Sequence, residues 1–344
     1  MGTSPTWQSI LQQVLKIPGE QQRIAVSIGL SQMTITRWAK GESNPQRPHL
    51  TRLVQVIQPA YRDALLEALE ESYHDIHSWL KDDSSEYIPS DFIAQLLDVR
   101  TTTTDSLRFW RISDMILKQV LAQLDPNQLG MAVTLIQCIP PSERHGNKIR
   151  SMRERAGRGT FPWTADLEPM ALFLGMESLA GYAVEARRVV NVDDLTKEKL
   201  LPAYRTEFEV SAAAHPILLG GNIAGCLAAS STQIGYFTQQ RQSLLVAFSH
   251  LASLAFDKEE FYDPKLVELR VMPTPTYQRP ILNDFRHSVS KLLTNTTHER
   301  ARMTNTEAEQ QIWLHIEEQL LSLPDEAYEH YRCIRRTGLL SDHL

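Results

Sequence analysis

Hydrophobic positions along the first eighty residues fall at helical spacing. Trp7, Ile10, Leu11, Val14 and Leu15 lie on one stripe that Pro18-Gly19 ends. Two short helices follow, at about 21–28 and 32–40. Beyond the loop holding Pro45 and Pro48, Leu50, Leu53, Val54 and Ile57 repeat the spacing as far as Pro59. Residues 61–80 read as another helix, with Leu65, Leu69, Tyr73, Ile76 and Leu80 on one side and acids elsewhere. The charge, serine and proline of 81–91 (KDDSSEYIPSD) mark a linker. A long helix at 104–124 carries Phe109, Ile112, Ile116, Val120 and Leu124 on a single stripe.

After Asp125-Pro126-Asn127 the period changes. The run MAVTLIQCI (131–139) is short, apolar and β-branched, which predicts a strand, with KIRSMRERA (148–156) as its antiparallel partner. Residues 165–186 read as mostly helical. Strands are predicted over 187–192 and 212–230, the latter turning at Gly220-Gly221-Asn222. A helix at 238–257 bears Leu244, Leu245, Phe248, Leu251 and Leu254. Strands enclosed by helices indicate an α+β domain. Three prolines in VMPTPTYQRP (271–280) suggest a second linker, and helices are expected near 281–294 and 306–323. The last begins on a Thr306-x-x-Glu309 capping pattern and stops at Pro324.

Composition adds little until charge is mapped along the chain. At 344 residues there is room for two or three domains, and 42% hydrophobic content is ordinary for a globular protein. No apolar run approaches the length of a membrane span, and the first residues lack a secretory pattern, so no membrane association and a cytoplasmic location are expected. Cys138, Cys226 and Cys333 are too few and too scattered for a disulfide framework or a thiolate zinc site. The net charge is −6, yet residues 1–60 hold six basic side chains against two acidic ones, and residues 61–100 hold three against ten. A basic front joined to an acidic segment suggests that one end meets a polyanion.

The stretch from 23 to 45, RIAVSIGLSQMTITRWAKGESNP, fits that charge. In a helix-turn-helix a small residue sits where two helices cross, a glycine permits the turn four residues on, and apolar residues on the second helix pack back. Ala25, Gly29, Ile35 and Trp38 have this spacing, with Ile24, Ile28 and Leu30 completing a small core. Ser31 would cap the second helix, leaving Gln32, Met33, Thr34, Thr36 and Arg37 outward as candidate base readers. Gln pairs bidentately with adenine and Arg with guanine, and methyl groups meet the thymine methyl. With LTRLVQVI (50–57), residues 6–58 resemble the lambda-repressor-like (XRE/Cro-type) helix-turn-helix family. The resemblance implies five packed helices and binding to double-stranded DNA. It also implies phosphate contacts from helix ends and loop, here Gln21, Ser31, Lys40, Asn44 and Arg47. The competing reading is an αα-hairpin in a protein-interaction module. One such head makes few phosphate contacts, so a homodimer is expected.

Residues 104–257 resemble a GAF domain. The resemblance rests on ESLAGYAVEARRVVNVDDL (177–195) and on 209–256, with His215-Pro216-Ile217, Gly225-Cys226-Leu227 and Phe237-Thr238 as its marks. It implies a roughly six-stranded antiparallel sheet, a small-ligand pocket on one face and helices on the other. Asn147-Lys148 is present, but no Phe-x-x-x-Asp-Glu follows, so cyclic-nucleotide binding is in doubt. With no Cys-His step, covalent bilin is not expected, and the cofactor is unknown. Trp163, Phe173, Tyr182, Tyr204 and His215 are the candidate pocket residues, against the plain alternative that such rings form core.

His74-x-x-His77 puts two ligand-type side chains one helical turn apart, but with no third ligand nearby it reads as solvated surface, and no metal is expected. No GxSxG, HExxH or GxxxxGKS pattern occurs, so the expectation is a non-enzyme. The fold expected is multidomain. An all-α helix-turn-helix domain (1–60) and a helical connector (61–103) precede an α+β GAF-like domain (104–257). A proline-rich linker (258–280) and a helical C-terminal extension (281–344) follow. The function expected is a one-component, homodimeric transcriptional regulator whose GAF-like domain senses a small ligand. The rivals are an interaction scaffold that only dimerises, and an enzyme such as a thiol-dependent reductase.

Overall fold

In the computed structural model, which describes residues 5–73, 87–198, 202, 205–298 and 303–331, contacts divide the chain into two units. The first is Met1–Ser85 with Asp125–Leu129, and the second is Glu86–Leu124 with Gly130–Leu344.

Five helices build the described part of the first unit: α1 (Trp7–Leu15), α2 (Glu20–Ile28), α3 (Gln32–Ala39), α4 (Arg47–Val56) and α5 (Pro59–Ser72). The Thr6 hydroxyl accepts from Ser9 N–H and starts α1. Helix α2 ends on Gly29 at φ 76°, where the Leu30 N–H returns to the Ala25 carbonyl at 2.9 Å, a left-handed cap that favours glycine. Two residues later the Ser31 hydroxyl accepts from Thr34 N–H at 3.2 Å and opens α3. The apolar stripes meet in one core containing Trp7, Leu11, Ile24, Ile28, Ile35, Trp38, Leu53 and Ile57. Burying each Leu or Ile contributes about 1.5–3 kcal/mol.

The expected boundary at residue 60 is corrected here. Leu65, Ala68 and Leu69 of α5 are buried in that same core, so α5 is its fifth wall and not a connector. The rest of the predicted 61–80 helix, with Ile76, Leu80 and the His74/His77 pair, lies outside the described residues.

The second unit is built on a six-stranded sheet in the order β3-β2-β1-β6-β5-β4. Its strands are β1 (Met131–Cys138), β2 (Met152–Gly159), β3 (Phe173–Leu174), β4 (Val190–Val192), β5 (Ser211–Leu219) and β6 (Asn222–Ser231), and each neighbouring pair is antiparallel. A two-residue turn joins β5 to β6, with Gly220 and Gly221 both at positive φ, as its twist demands. Helices α6 (Ser90–Thr102), α7 (Asp105–Leu124) and α9 (Gln239–Ala252) form a layer. Phe92 of α6 meets Phe248 of α9 edge-on at 6.4 Å, so residues 90–102 belong to this layer and not to a connector. The layer packs on one sheet face, where Arg158 of β2 bonds Asp114 of α7 and His215 of β5 bonds Ser249 of α9.

Three further expectations are corrected. Strand β2 starts at Met152, because residues 149–150 pair elsewhere: Ile149 N–H donates to the Leu266 carbonyl at 2.8 Å and Arg270 N–H to the Arg150 carbonyl at 2.7 Å. Those bonds also show that 258–280 is no linker. The segment is laced along the sheet, Met272 is fully buried, and the Gln278 side chain bonds both Phe173 N–H and its carbonyl. Residues 165–186 are helical only at a 3-10 turn (Glu168–Met170) and over α8 (Leu179–Ala186), with β3 between them. Gly175 breaks the run, because a Cβ there would lie 1.8 Å from the Arg270 carbonyl.

Helices α10 (Pro275–Asn283), α11 (Phe285–His298) and α12 (Asn305–Leu321) follow, then a 3-10 turn over Asp325–Tyr331. Helix α12 is capped by Thr304 with Glu307, two residues before the expected Thr306/Glu309 pair. These helices bury Phe173, Ile139 and Met272 of the sheet unit with Ile316 and Leu320, and Phe285 stacks on Trp313 at 3.8 Å. Helices α10, α11 and α12 are therefore part of the second unit's packing and not an appended extension. Among the described residues no helix is long and apolar enough to cross a membrane.

Candidate functional site

The sheet face opposite α7 and α9 carries the candidate site, a cavity of about 450 Å³. Alternation along the strands sends Ala132 and Thr134 of β1, Ala212 of β5, and Ala228 and Ser230 of β6 to this side. Small side chains there leave space that Leu or Ile would fill. Ala180 of α8, Pro202, the segment 206–209, and Trp163, Leu167 and Leu172 complete the wall. The volume lies within the usual range of about 300–1,000 Å³ for small-molecule sites.

Four carboxylates line this mostly apolar space: Glu154 and Glu209 are half-buried, and Glu168 and Glu207 are exposed. Glu154 of β2 accepts the Leu172 N–H on Oε2 at 2.9 Å, and its Oε1 has no protein donor among the described residues. Burial pushes the Glu154 carboxyl up to about 7, against the Leu172 hydrogen bond and with help from the Glu209 charge. Glu209 accepts from Thr206 N–H at 2.7 Å and from the Ser230 hydroxyl at 2.9 Å, and burial raises its carboxyl as well. Of the two arginines on the wall, Arg155 donates to Glu260 at 3.0 Å and lies over the Phe109 ring. Arg279 of α10 is half-buried, and its Nη1 approaches the Met170 sulfur at 3.7 Å. At the rim Trp163 meets Phe208 edge-on at 6.1 Å.

The predicted pocket residues separate. Trp163 lines the cavity. Phe173 does not, because its ring turns to the C-terminal helices, 5.9 Å from Trp313. Tyr182 sits on α8 outside the cavity wall, and Tyr204 lies outside the described residues. His215 is on the other face: it is three residues from Ala212, so the strand's alternation points it at α9, where Nδ1 bonds the Ser249 hydroxyl at 2.5 Å. Burial, then the neighbouring His250, hold its imidazole down at about 4. Glu154, Glu209, Arg279 and the alanines were not singled out in the sequence. The available signal was a carboxylate inside a strand, Glu154 in Met152–Gly159.

Cys138 and Cys226 are fully buried, and burial drives the Cys138 thiol up to about 12 and the Cys226 thiol higher still. Cys333 is outside the described residues. Among the described residues no cluster of His, Cys, Asp and Glu could hold a metal ion.

In the first unit, α3 buries Ile35 and Trp38 and turns the other side outward. Gln32, Met33 and Arg37 are exposed, Met33 by 73%, and Thr34 and Thr36 are half-buried. Thr36 is not wholly available, since its hydroxyl accepts from Gln21 Nε2 at 2.8 Å and donates to the Gln32 carbonyl. Gln21 thus ties the start of α2 to α3. Ser31 caps α3, while Lys40 and Asn44 are exposed; the Arg47 side chain is outside the described residues. Glu42 approaches both Arg37 and Lys40 at 4.0 Å, the outer limit of an ion pair between exposed groups.

Residues 114–257 match the GAF domain family, a sensory or interaction domain. No curated protein sequence matches the chain. Similar solved structures include the type II free methionine-R-sulfoxide reductase from Thermoplasma acidophilum, at 15% identity and TM-score 0.31, covering 44% of this chain and 97% of that one. The GAF domain from Acinetobacter phosphoenolpyruvate-protein phosphotransferase matches at 16% identity and TM-score 0.32, covering 48% and 90%. Free methionine-R-sulfoxide reductase from Neisseria meningitidis, in complex with its substrate, matches at 15% and 0.34, covering 49% and 92%. The expectation of a non-enzyme is corrected: the similar structures include free methionine-R-sulfoxide reductases, and the three absent motifs cover only some classes of enzyme.

Proposed function

We propose that the protein is a cytoplasmic, homodimeric DNA-binding regulator in which the cavity of the second unit senses a small ligand and controls the affinity of the first unit for its operator. The observation that carries this reading is the two-sided helix α3. Its inner side, Ile35 and Trp38, is locked in the core, while Gln32, Met33 and Arg37 stand exposed. Gln21 fixes the angle between α2 and α3 through the Gln32 carbonyl and Thr36. A short capped helix held rigidly, with adenine-, guanine- and thymine-type partners on its outer side, suits the major groove. The excess of base over acid in residues 1–60 supplies attraction to phosphate.

The sensory half of the reading rests on the GAF-family match and on the built cavity with polar groups converging on it. A ligand that binds one DNA-affinity state better than the other shifts the population between them.

Fluorescence anisotropy with a library of fragments from the host genome tests the first half. Wild-type protein selects a subset of fragments, and Arg37→Ala and Gln32→Ala each lose about 1–3 kcal/mol on those fragments. Selection unchanged in both variants would rule out α3 as the reader. Sedimentation of the full chain checks the dimer.

A further inference from the structure

We propose that the cavity takes a small organic cation, an amine on a compact apolar body, with its ammonium group seated against Glu154. This rests on the sensor reading above and names the chemistry of its ligand.

Of the two half-buried carboxylates on the wall, Glu154 is the one with an oxygen left over. Leu172 N–H occupies Oε2, whereas Oε1 has no protein donor among the described residues, and Glu154 lines the cavity. Glu209, the second carboxylate, has both oxygens committed to Thr206 and Ser230, so it contributes field and not a vacant acceptor. An ionised carboxylate in mostly apolar surroundings is costly unless it is paired, and a ligand ammonium offsets that cost by supplying the opposite charge. The wall around it is apolar and shaped by alanines, and Trp163 at the rim offers a ring face.

The two arginines do not reverse the sign. Arg155 is paired with Glu260 and lies over Phe109. Arg279 makes no ion pair among the described residues and bears on Glu154 only electrostatically, in the direction that keeps the carboxyl ionised. It is a like charge to the proposed ligand, so its removal should strengthen binding, whereas an anionic ligand would need it.

Calorimetric titration of the full chain at about pH 8, above the Glu154 range, separates these cases. The probes are phenethylamine, cyclohexylamine and butylamine, the neutral phenethyl alcohol and the anionic hydrocinnamate. The expected result is binding of at least one amine, with the alcohol about tenfold weaker or worse and hydrocinnamate silent. Glu154→Gln keeps an acceptor for Leu172 N–H and removes a carboxyl that is ionised at this pH, so it should unfold at or above the wild-type midpoint and lose amine binding about tenfold or more. Arg279→Ala should bind the amine more tightly. The proposal is overturned by hydrocinnamate binding that Arg279→Ala abolishes, by wild-type amine affinity in a folded Glu154→Gln, or by silence from every amine at about 10 mM. DNA affinity measured with and without the amine keeps the two readings apart. Amine binding with no effect on DNA leaves the ligand assignment and removes its role as signal. DNA binding with every amine silent leaves the regulator and removes the ligand.

Discussion

Leu172 and Glu154 hold each other twice. The Leu172 N–H donates to Glu154 Oε2 at 2.9 Å, and the Glu154 N–H donates to the Leu172 carbonyl at 3.0 Å. The pair fastens the segment over the cavity to β2 and aims the carboxylate inward at the same time. Structure and site chemistry therefore meet at one residue.

That carboxyl shares a property with two others in the second unit. Burial holds Glu154, Glu177 and Glu317 each up to about 7, from an ordinary 4.5. A carboxyl raised in the folded state keeps its proton where the unfolded chain has lost it. Its stabilisation is complete below the unfolded value and is lost as pH rises through the folded one. His215, held down at about 4, and His145, lowered chiefly by burial, work oppositely below their ordinary value of 6.5, but they stand against four raised carboxyls, Glu209 included. Chemical denaturation should thus show the second unit less stable at about pH 8 than at about pH 5. In Glu317→Gln the decline should be shallower, and an unchanged slope there would show that Glu317 does not contribute.

Filling the cavity should separate binding from folding. Ala228→Leu adds apolar volume where the wall is half-open, so we expect an unfolding midpoint equal to or above wild type, by up to about 1 kcal/mol. Amine binding should disappear in the same titration. Retained binding would place the ligand elsewhere.

Gly175 is where backbone meets backbone. Its missing Cβ would fall 1.8 Å from the Arg270 carbonyl, which also accepts the Met176 N–H at 3.1 Å. Gly175→Ala should cost more than about 3 kcal/mol, seen as a large drop in midpoint and faster proteolysis within 258–280.

Ser31 can be tested without touching a proposed reader. Ser31→Ala removes the cap of α3 and should cost about 1 kcal/mol of stability. Lys40→Ala should lower the slope of log affinity against log salt by about 1, while Gln32→Ala leaves that slope and changes selectivity. A salt slope insensitive to Lys40 would remove it from the proposed phosphate contacts.

Local chemistry made much of the fold legible. Trp7, Ile10, Leu11 and Val14 repeat at helical spacing because one face must be buried, and they are buried together. Gly220-Gly221 marks the β5–β6 turn because two positive φ values are needed there. Each of these signals spans a few residues, so sequence carried it whole.

What sequence could not carry was pairing at a distance. Nothing local to Ile149 says that its N–H will meet Leu266, or local to the proline-rich 271–280 that Gln278 will close on Phe173. The sides of β5 follow from strict alternation, yet choosing which side is hollow required knowing that α9 covers His215 and that α8 and the Leu172 segment enclose Ala212. The sequence by itself determined most of the helices of the first unit, strands β1, β5 and β6, and the outward side of α3, since neighbours one turn or two residues apart decide those. Only the tertiary structure decided that Glu154 is a half-buried carboxylate with an open oxygen, because desolvation and hydrogen-bond vacancy depend on segments far away in the chain.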